Sequence, residues 1–185
     1  DLAMEAHALW REQAGAGRRL RGVRSERNRV EGYETHVVDV LDEQGAKELG
    51  KPRGRYISLE LNGLLRREED SFARAVRAVA GLLEPMLPSA GEALVVGLGN
   101  RAITPDLVGP LAVEHTLVTR HLVERLEIFG HLRPVAALAA GVLATTGMES
   151  GQLIQAVVGR LKPACVIAVD ALASRSVERL CRTVQ

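Results

Sequence analysis

Aromatic residues are scarce: one Trp, two Tyr and two Phe among 185 residues. A surface that stacks nucleic-acid bases needs aromatic faces, so a base-stacking platform is disfavoured. The core must instead be built from Leu, Val, Ala and Ile. Charge of either sign is not in excess: 24 Lys and Arg stand against 23 Asp and Glu, a net charge of +1, which offers no whole-chain attraction for nucleic acid. Cysteine is nearly absent. Cys165 sits inside an apolar run and Cys181 on an apparent helical stripe. Neither has a metal-type spacing partner, so both are expected as buried, reduced thiols of a cytoplasmic protein. No apolar run approaches the roughly 20 residues of a membrane span. The opening Asp1-Leu2-Ala3-Met4-Glu5 is acidic and lacks a long apolar stretch, so it is not expected to act as a signal peptide. It also lacks an initiator Met, so the chain is expected to have been cleaved or cut from something longer. No Gly-x-Ser-x-Gly elbow and no Walker A motif occurs.

What is present is an ordinary globular composition, 46% hydrophobic and 25% charged, enough for one α/β domain over residues 1–185. Residues 2–13 predict a helix with Leu2, Ala6, Leu9 and Trp10 on one side. Residues 14–32 carry Arg18, Arg19, Arg21, Arg24, Arg27 and Arg29 among glycines and are expected as a solvated loop or edge segment. Tyr33–Val40 and Arg55–Leu61 alternate as strands, with turn chemistry at Gly50–Gly54 between them. Residues 68–84 predict a helix with Phe72, Ala75, Val76, Val79 and Leu83 inward, ended by Pro85 and Pro88.

Three unbroken apolar runs follow, at 93–96, 134–139 and 165–169, separated by helical patterns at 110–126 and 150–161; a last helix is expected at 173–182. Strands buried on both faces are the signature of a parallel sheet. The expected fold is therefore α/β: a mostly parallel central sheet with helices on both faces, an N-terminal helix and extra strands. Ligands of such sheets bind outside the C-terminal strand ends.

Two acids lie there. Strand 93–96 runs into Gly97-Leu98-Gly99-Asn100 and on to Thr104-Pro105-Asp106, and strand 165–169 runs directly into Asp170. A carboxylate ending an apolar strand is costly to bury unpaired. It persists by capping a helix, pairing with a cation such as Arg175, binding a metal or doing chemistry. Two such acids on one sheet edge point to a joint site. Held close, they repel and can share a proton. One then acts as base towards a water while the other donates a proton, which suits peptide-bond hydrolysis. The same pair could hold a divalent ion, but a third ligand is not convincingly placed: His115 and His121 fall on different faces of their helix, and His131 is in a loop. Gly97-x-Gly99-x-x-Ala102 also fits a dinucleotide fingerprint. Pro105 and Pro110 interrupt the helix that should follow, and the strand at 134–139 ends in Ala140-Gly141 without an acid for a ribose. Asn100 and Thr104 shape the acid-bearing loop or make ordinary turn hydrogen bonds. Arg175 orients Asp170 or a substrate carboxylate, or pairs at the surface.

These residues resemble those of the spore germination protease family. The resemblance covers essentially the whole chain. It is carried by Val95–Asn100, Thr104–Asp106, Leu117–Leu122, Gly147–Glu149 and Val166–Arg175, with Asp1–Ala6 and Gly54–Tyr56 in support. It implies an endopeptidase, of unusual aspartic type, that degrades the small acid-soluble proteins coating DNA in dormant spores. Those proteins would be its partners, with neither direct nucleic-acid nor membrane binding, in a homo-oligomer of the spore-core cytoplasm. The family's two proposed catalytic acids match Asp106 and Asp170, with Gly97, Gly99, Asn100, Thr104 and Arg175 around them and no cofactor. The resemblance further implies a fold like that of hydrogenase maturation proteases, whose Gly-x-Gly-Asn loop and strand-end acids bind nickel; a metal-dependent peptidase is the alternative, and an inactive truncated module a further one. It also implies a zymogen that loses a short propeptide, with the cleavage form Asp1-Leu2-Ala3 placing the junction between Asp1 and Leu2. Family members continue beyond Gln185, so the C-terminal part of the family's domain is expected to be missing here.

Overall fold

The computed structural model describes residues 2–14 and 20–185. Asp1, with the expected cleavage junction, and Arg18 and Arg19 lie outside them. The chain divides into two compact units, one made of the residues up to Met86 together with Leu172–Gln185, the other of Leu87–Ala171.

The first unit holds an antiparallel sheet, where a parallel one was expected to dominate. Helix α1 (Ala3–Ala14) is followed by β1 (Val23–Val30), β2 (Tyr33–Val40), α2 (Glu43–Leu49), β3 (Gly54–Glu60), a short α3 (Asn62–Leu65) and α4 (Ser71–Leu83). The strand order is β1-β2-β3-β7, where β7 is Thr183–Val184. The two faces of β2 divide the core. Val38 and Val40 pack with Ala3, Ala6 and Trp10 of α1. Tyr33 and Leu59, on the opposite face, pack with Ala75 and Ala78 of α4.

Several expectations fail here for identifiable reasons. The arginine-rich segment is a strand, not a loop: β1 pairs with β2 from Val23↔Val40 to Val30↔Tyr33. The two residues between, Glu31 and Gly32, both have positive φ (53° and 84°), the twist a two-residue hairpin favours. None of β1's residues is fully buried, so it carries no alternation to read. Helix α2 went unforeseen, although its signals are local: Asp42 Oδ1 accepts from the Gly45 N–H at 2.8 Å, and Gly50 closes the helix at φ 66°. On α4, Phe72 (71% exposed) and Val76 face solvent rather than the core; the buried stripe is Ala75, Ala78, Val79 and Leu82. The helix expected at 173–182 is a single 3-10 turn, Val177–Arg179, followed by β7. Cys181, expected buried, is exposed there; both cysteines are free thiols.

The second unit holds the parallel sheet. β4 (Ala93–Leu98) lies between β5 (Val135–Gly141) and β6 (Cys165–Val169), paired in parallel with both. Side chains alternate along a strand, so β4 sends Leu94, Val96 and Leu98 to α8 (Ser150–Leu161) and turns Gly97 to α5 (Val108–Glu114), where its α-carbon lies against Gly109 O and Val113. Helices thus cover both faces of β4. Full burial of Leu94 and Val96 contributes about 1.5–3 kcal/mol each. The edge strands are not buried on both faces as expected. On β6, Val166 and Ala168, aligned with Leu94 and Val96, remain exposed. The helix expected over 110–126 is two, α5 and α6 (Arg120–Arg125), with α7 (Leu143–Thr146) completing the set. Thr119 causes the break. Its N–H donates to Val135 O at 3.0 Å, its hydroxyl donates to Arg133 O and accepts from the Val135 N–H at 3.0 Å. These bonds pin the chain to the start of β5 and divert it from the helix axis.

Candidate active site

Both acids belong to the second unit, at the C-terminal edge of its parallel sheet. β4 ends at Leu98, and the chain then turns sharply through Gly99 at φ 111°, a conformation that excludes side chains. A Cβ there would meet Asp106 O at 2.2 Å and Asp106 Oδ1 at 2.9 Å. Only glycine lets the loop close so tightly over the acid. The next amide, Asn100 N–H, donates to Asp106 Oδ2 at 2.6 Å, a short charge-assisted bond. The Asn100 side chain stays local: Oδ1 accepts from the Ala102 N–H at 2.9 Å, an Asx turn. Thr104 opens the 3-10 turn Thr104–Asp106, and its carbonyl accepts from the Leu107 N–H at 3.3 Å. Gly99, Asn100 and Asp106 are therefore one bonded loop, and Asp106 is half-buried in it.

Asp170 follows β6 and is exposed; its Oδ1 accepts from the Ala171 N–H at 2.8 Å. It caps no helix, because none begins near Ala173. A residue outside the expected set ties the two acids' surroundings together. Gly109, three positions after Asp106, packs where a Cβ would meet Leu98 O at 2.1 Å and Val169 O at 2.5 Å. The start of the helix behind Asp106 thus rests on the strand residue that precedes Asp170. Gly97 faces the same helix: its own Cβ would meet Gly109 O at 2.2 Å. The Gly109-Pro110 pair was the available signal, since proline is tolerated in a first turn and the glycine beside it permits the backbone approach.

Arg175 belongs to the first unit, where its N–H donates to Glu5 Oε2 at 3.3 Å. Glu5 gathers this segment: it also accepts from the Ser174 hydroxyl, the Ser176 N–H and the Arg179 guanidinium, the last at 2.9 Å. Burial pushes the Glu5 carboxyl up, but Arg179 and the amides of Arg175 and Ser176 outweigh it and hold the group below its ordinary value. Glu5 thus holds the Arg175 and Ser176 amides, and the amides that follow, those of Arg179, Leu180 and Arg182, close i−3 turns instead of a continuous helix.

A divalent ion needs at least a third donor beside two aspartates. Among the described residues no group of three or more His, Cys, Asp or Glu side chains is gathered to hold one. His115 ends α5, His121 lies in α6, and His131 follows a 3-10 turn. Nor, among the described residues, is any helix long and apolar enough to cross a membrane.

The chain's relatives are consistent throughout its length. The family model for germination protease matches residues 3–185. A germination protease of Caldanaerobacter subterraneus subsp. tengcongensis is 42% identical over 189 residues, covering all of this chain and 57% of the relative. Those of Clostridium perfringens and Bacillus licheniformis are each 40% identical, again over the whole chain and over 58% and 52% of their own lengths. The chain spans little more than half the length of these curated relatives, and it belongs to the germination protease family.

Proposed function

We propose that this chain carries the catalytic acids of an endopeptidase that degrades the small acid-soluble, DNA-coating proteins of spores during germination, in the cytoplasm of the spore core. The observation that supports this most is the clamp on Asp106: a glycine turn and the Asn100 amide fix one carboxylate at the sheet's C-terminal edge, while Gly109 seats the helix behind it against the strand that delivers Asp170. In the reaction, one carboxylate takes a proton from water as that water attacks the peptide carbonyl carbon; the other gives its proton to the carbonyl oxygen. The tetrahedral intermediate collapses as the first carboxylate passes its proton to the nitrogen and the C–N bond breaks, while a hydroxyl proton of the intermediate returns to the second carboxylate, so that the amine leaves protonated and the pair is restored. Binding energy along an extended substrate orients the scissile bond. The working protein is an oligomer of identical chains, made as a zymogen, and needs no metal.

The test is Asp106→Asn and Asp170→Asn, each in a chain of the relatives' full length, assayed for cleavage of a small acid-soluble spore protein. Each variant is expected to lose about 10²–10⁴-fold in kcat with unchanged folding. Normal turnover by both overturns the reading. Activity that a chelator abolishes and nickel or zinc restores replaces it with a metal-dependent peptidase.

A further inference from the structure

β7 is two residues long, yet its register is strict. It pairs with β3 through Leu59↔Val184 and Glu60↔Thr183, and the Leu61 N–H donates to Arg182 O at 2.6 Å. The alignment persists through Gln185, which falls opposite Ser58: the Ser58 hydroxyl donates to Gln185 Oε1 at 3.4 Å, and the Ala3 N–H donates to the same oxygen at 2.7 Å. Beyond that point β3 continues for four more residues, Gly54–Ile57, paired with β2 on one side and with no described strand on the other. Antiparallel pairing sends the amides of alternate residues to the same side. Since Leu61 donates towards β7, Ile57 and Arg55 point their N–H and C=O groups to this open edge.

The open edge borders an apolar groove of about 150 Å³, lined by Ile57, Leu59, Leu82, Leu83, Met86 and Val184. Directly opposed residues share a face, so Val184 lies on the face of Leu59, the one covered by α4, and Gln185 on the face covered by α1. The residue after Gln185 returns to the α4 face, opposite Ile57, with its side chain in the groove.

We propose that this groove and the free edge of β3 are the seat of the strand that continues β7 past Gln185 in a longer chain of the family. Its first and third residues are apolar and fill the groove; its second faces the α1 side. Three observations carry the choice of occupant: the register held through Gln185, the amide direction of Ile57 and Arg55, and an apolar lining on the face where the next side chain falls. The relatives, of which this chain covers 52–58%, have the length for such a segment. The inference is independent of the proposed chemistry at Asp106 and Asp170.

The test extends this chain after Gln185 by Val-Thr-Val or by Thr-Val-Thr, with the unextended chain as reference. Val-Thr-Val is expected to raise the thermal midpoint and to slow amide exchange at Ile57 by about tenfold; Thr-Val-Thr, with the opposite phase, gains less in midpoint. Ile57→Asp, placing a charge in the groove, removes the difference between the two extensions. Equal midpoints for both phases, or exchange at Ile57 that no extension slows, overturns the proposal. So does concentration-dependent protection of Ile57 in the unextended chain, which would make a second copy the occupant.

Discussion

The Asn100 N–H holds Asp106 Oδ2 at 2.6 Å, and it does so because Gly99, the residue before it, stands at φ 111° with its α-carbon against the Asp106 backbone. Acid and clamp are one turn. Gly99→Ala would place a Cβ 2.2 Å from Asp106 O at a backbone angle alanine rarely adopts. We expect a stability loss of about 1–3 kcal/mol by urea titration. In a chain of full family length, we expect a fall in kcat approaching that of Asp106→Asn, with KM little changed. Retention of full activity would separate the clamp from the chemistry.

Gly109 makes a different prediction, because it joins two strand ends. Gly109→Ala puts a methyl 2.1 Å from Leu98 O and 2.5 Å from Val169 O. Those are backbone atoms of the sheet's central strand and of β6, and neither can swing aside. Overpacking of this kind costs about 1–3 kcal/mol. The displacement should appear as altered amide shifts at Asn100 and Ala171, the donors to the two acids, before global unfolding. Gly151→Ala, on a helix with nothing within 4 Å of the added carbon, is the control and should be neutral or slightly stabilising.

The sequence pattern placed the two acids on one sheet edge more accurately than it placed the elements around them. β4 announces itself as an apolar run because helices cover both its faces; β5 and β6 are apolar runs too, although Val166 and Ala168 of β6 stay exposed, and the acids follow directly from the strand ends. β1 was illegible because both its faces are exposed; its pairing with β2 and the positive-φ Glu31-Gly32 turn set it, not its own hydrophobicity. The failed helix at 173–182 shows the opposite limit. Its periodicity is helical, but a carboxylate some 170 positions away binds the Arg175 and Ser176 amides and ties the segment to α1. Contacts of that sequence separation leave no local mark. The break at Thr119 is similar, since its partners lie at the start of β5.

That distant carboxylate yields a third prediction. Glu5 is 5% exposed and accepts from Arg179, from Ser174 and from backbone amides that include those of Arg175 and Ser176. Glu5→Gln keeps the shape but removes the charge and turns one acceptor into a donor facing donors. The expected loss is about 1.5–3 kcal/mol. It should be accompanied by faster amide exchange at Arg175 and Ser176 and by release of β7, while the amides of β4 in the other unit keep their protection.

Acid pH should weaken the first unit through two kinds of group, in windows that open below 6.5 and below 4.5. His36 is 9% exposed on the α1 face of β2, with Glu60 Oε1 at 3.6 Å. Burial holds its imidazole below its ordinary value, helped by Arg27 and Arg179 and opposed by Glu60 and Glu34. His7, on the helix above, is lowered by burial and by Arg11 and Arg27. A depressed histidine takes up its proton in the unfolded chain first, so the unfolded state binds more protons and stability rises with pH. The contribution is complete above the unfolded value of 6.5 and is lost as pH falls from there through the folded value. Glu5, lowered from 4.5, acts in the next window: its stabilisation is present above that value and disappears as pH falls through the folded one. Urea midpoints measured from pH 8 to pH 3 should therefore decline in two steps. His36→Gln should flatten the upper step and leave the lower, and Glu5→Gln should do the reverse. A profile that keeps both steps in His36→Gln would assign the upper one to His7 alone.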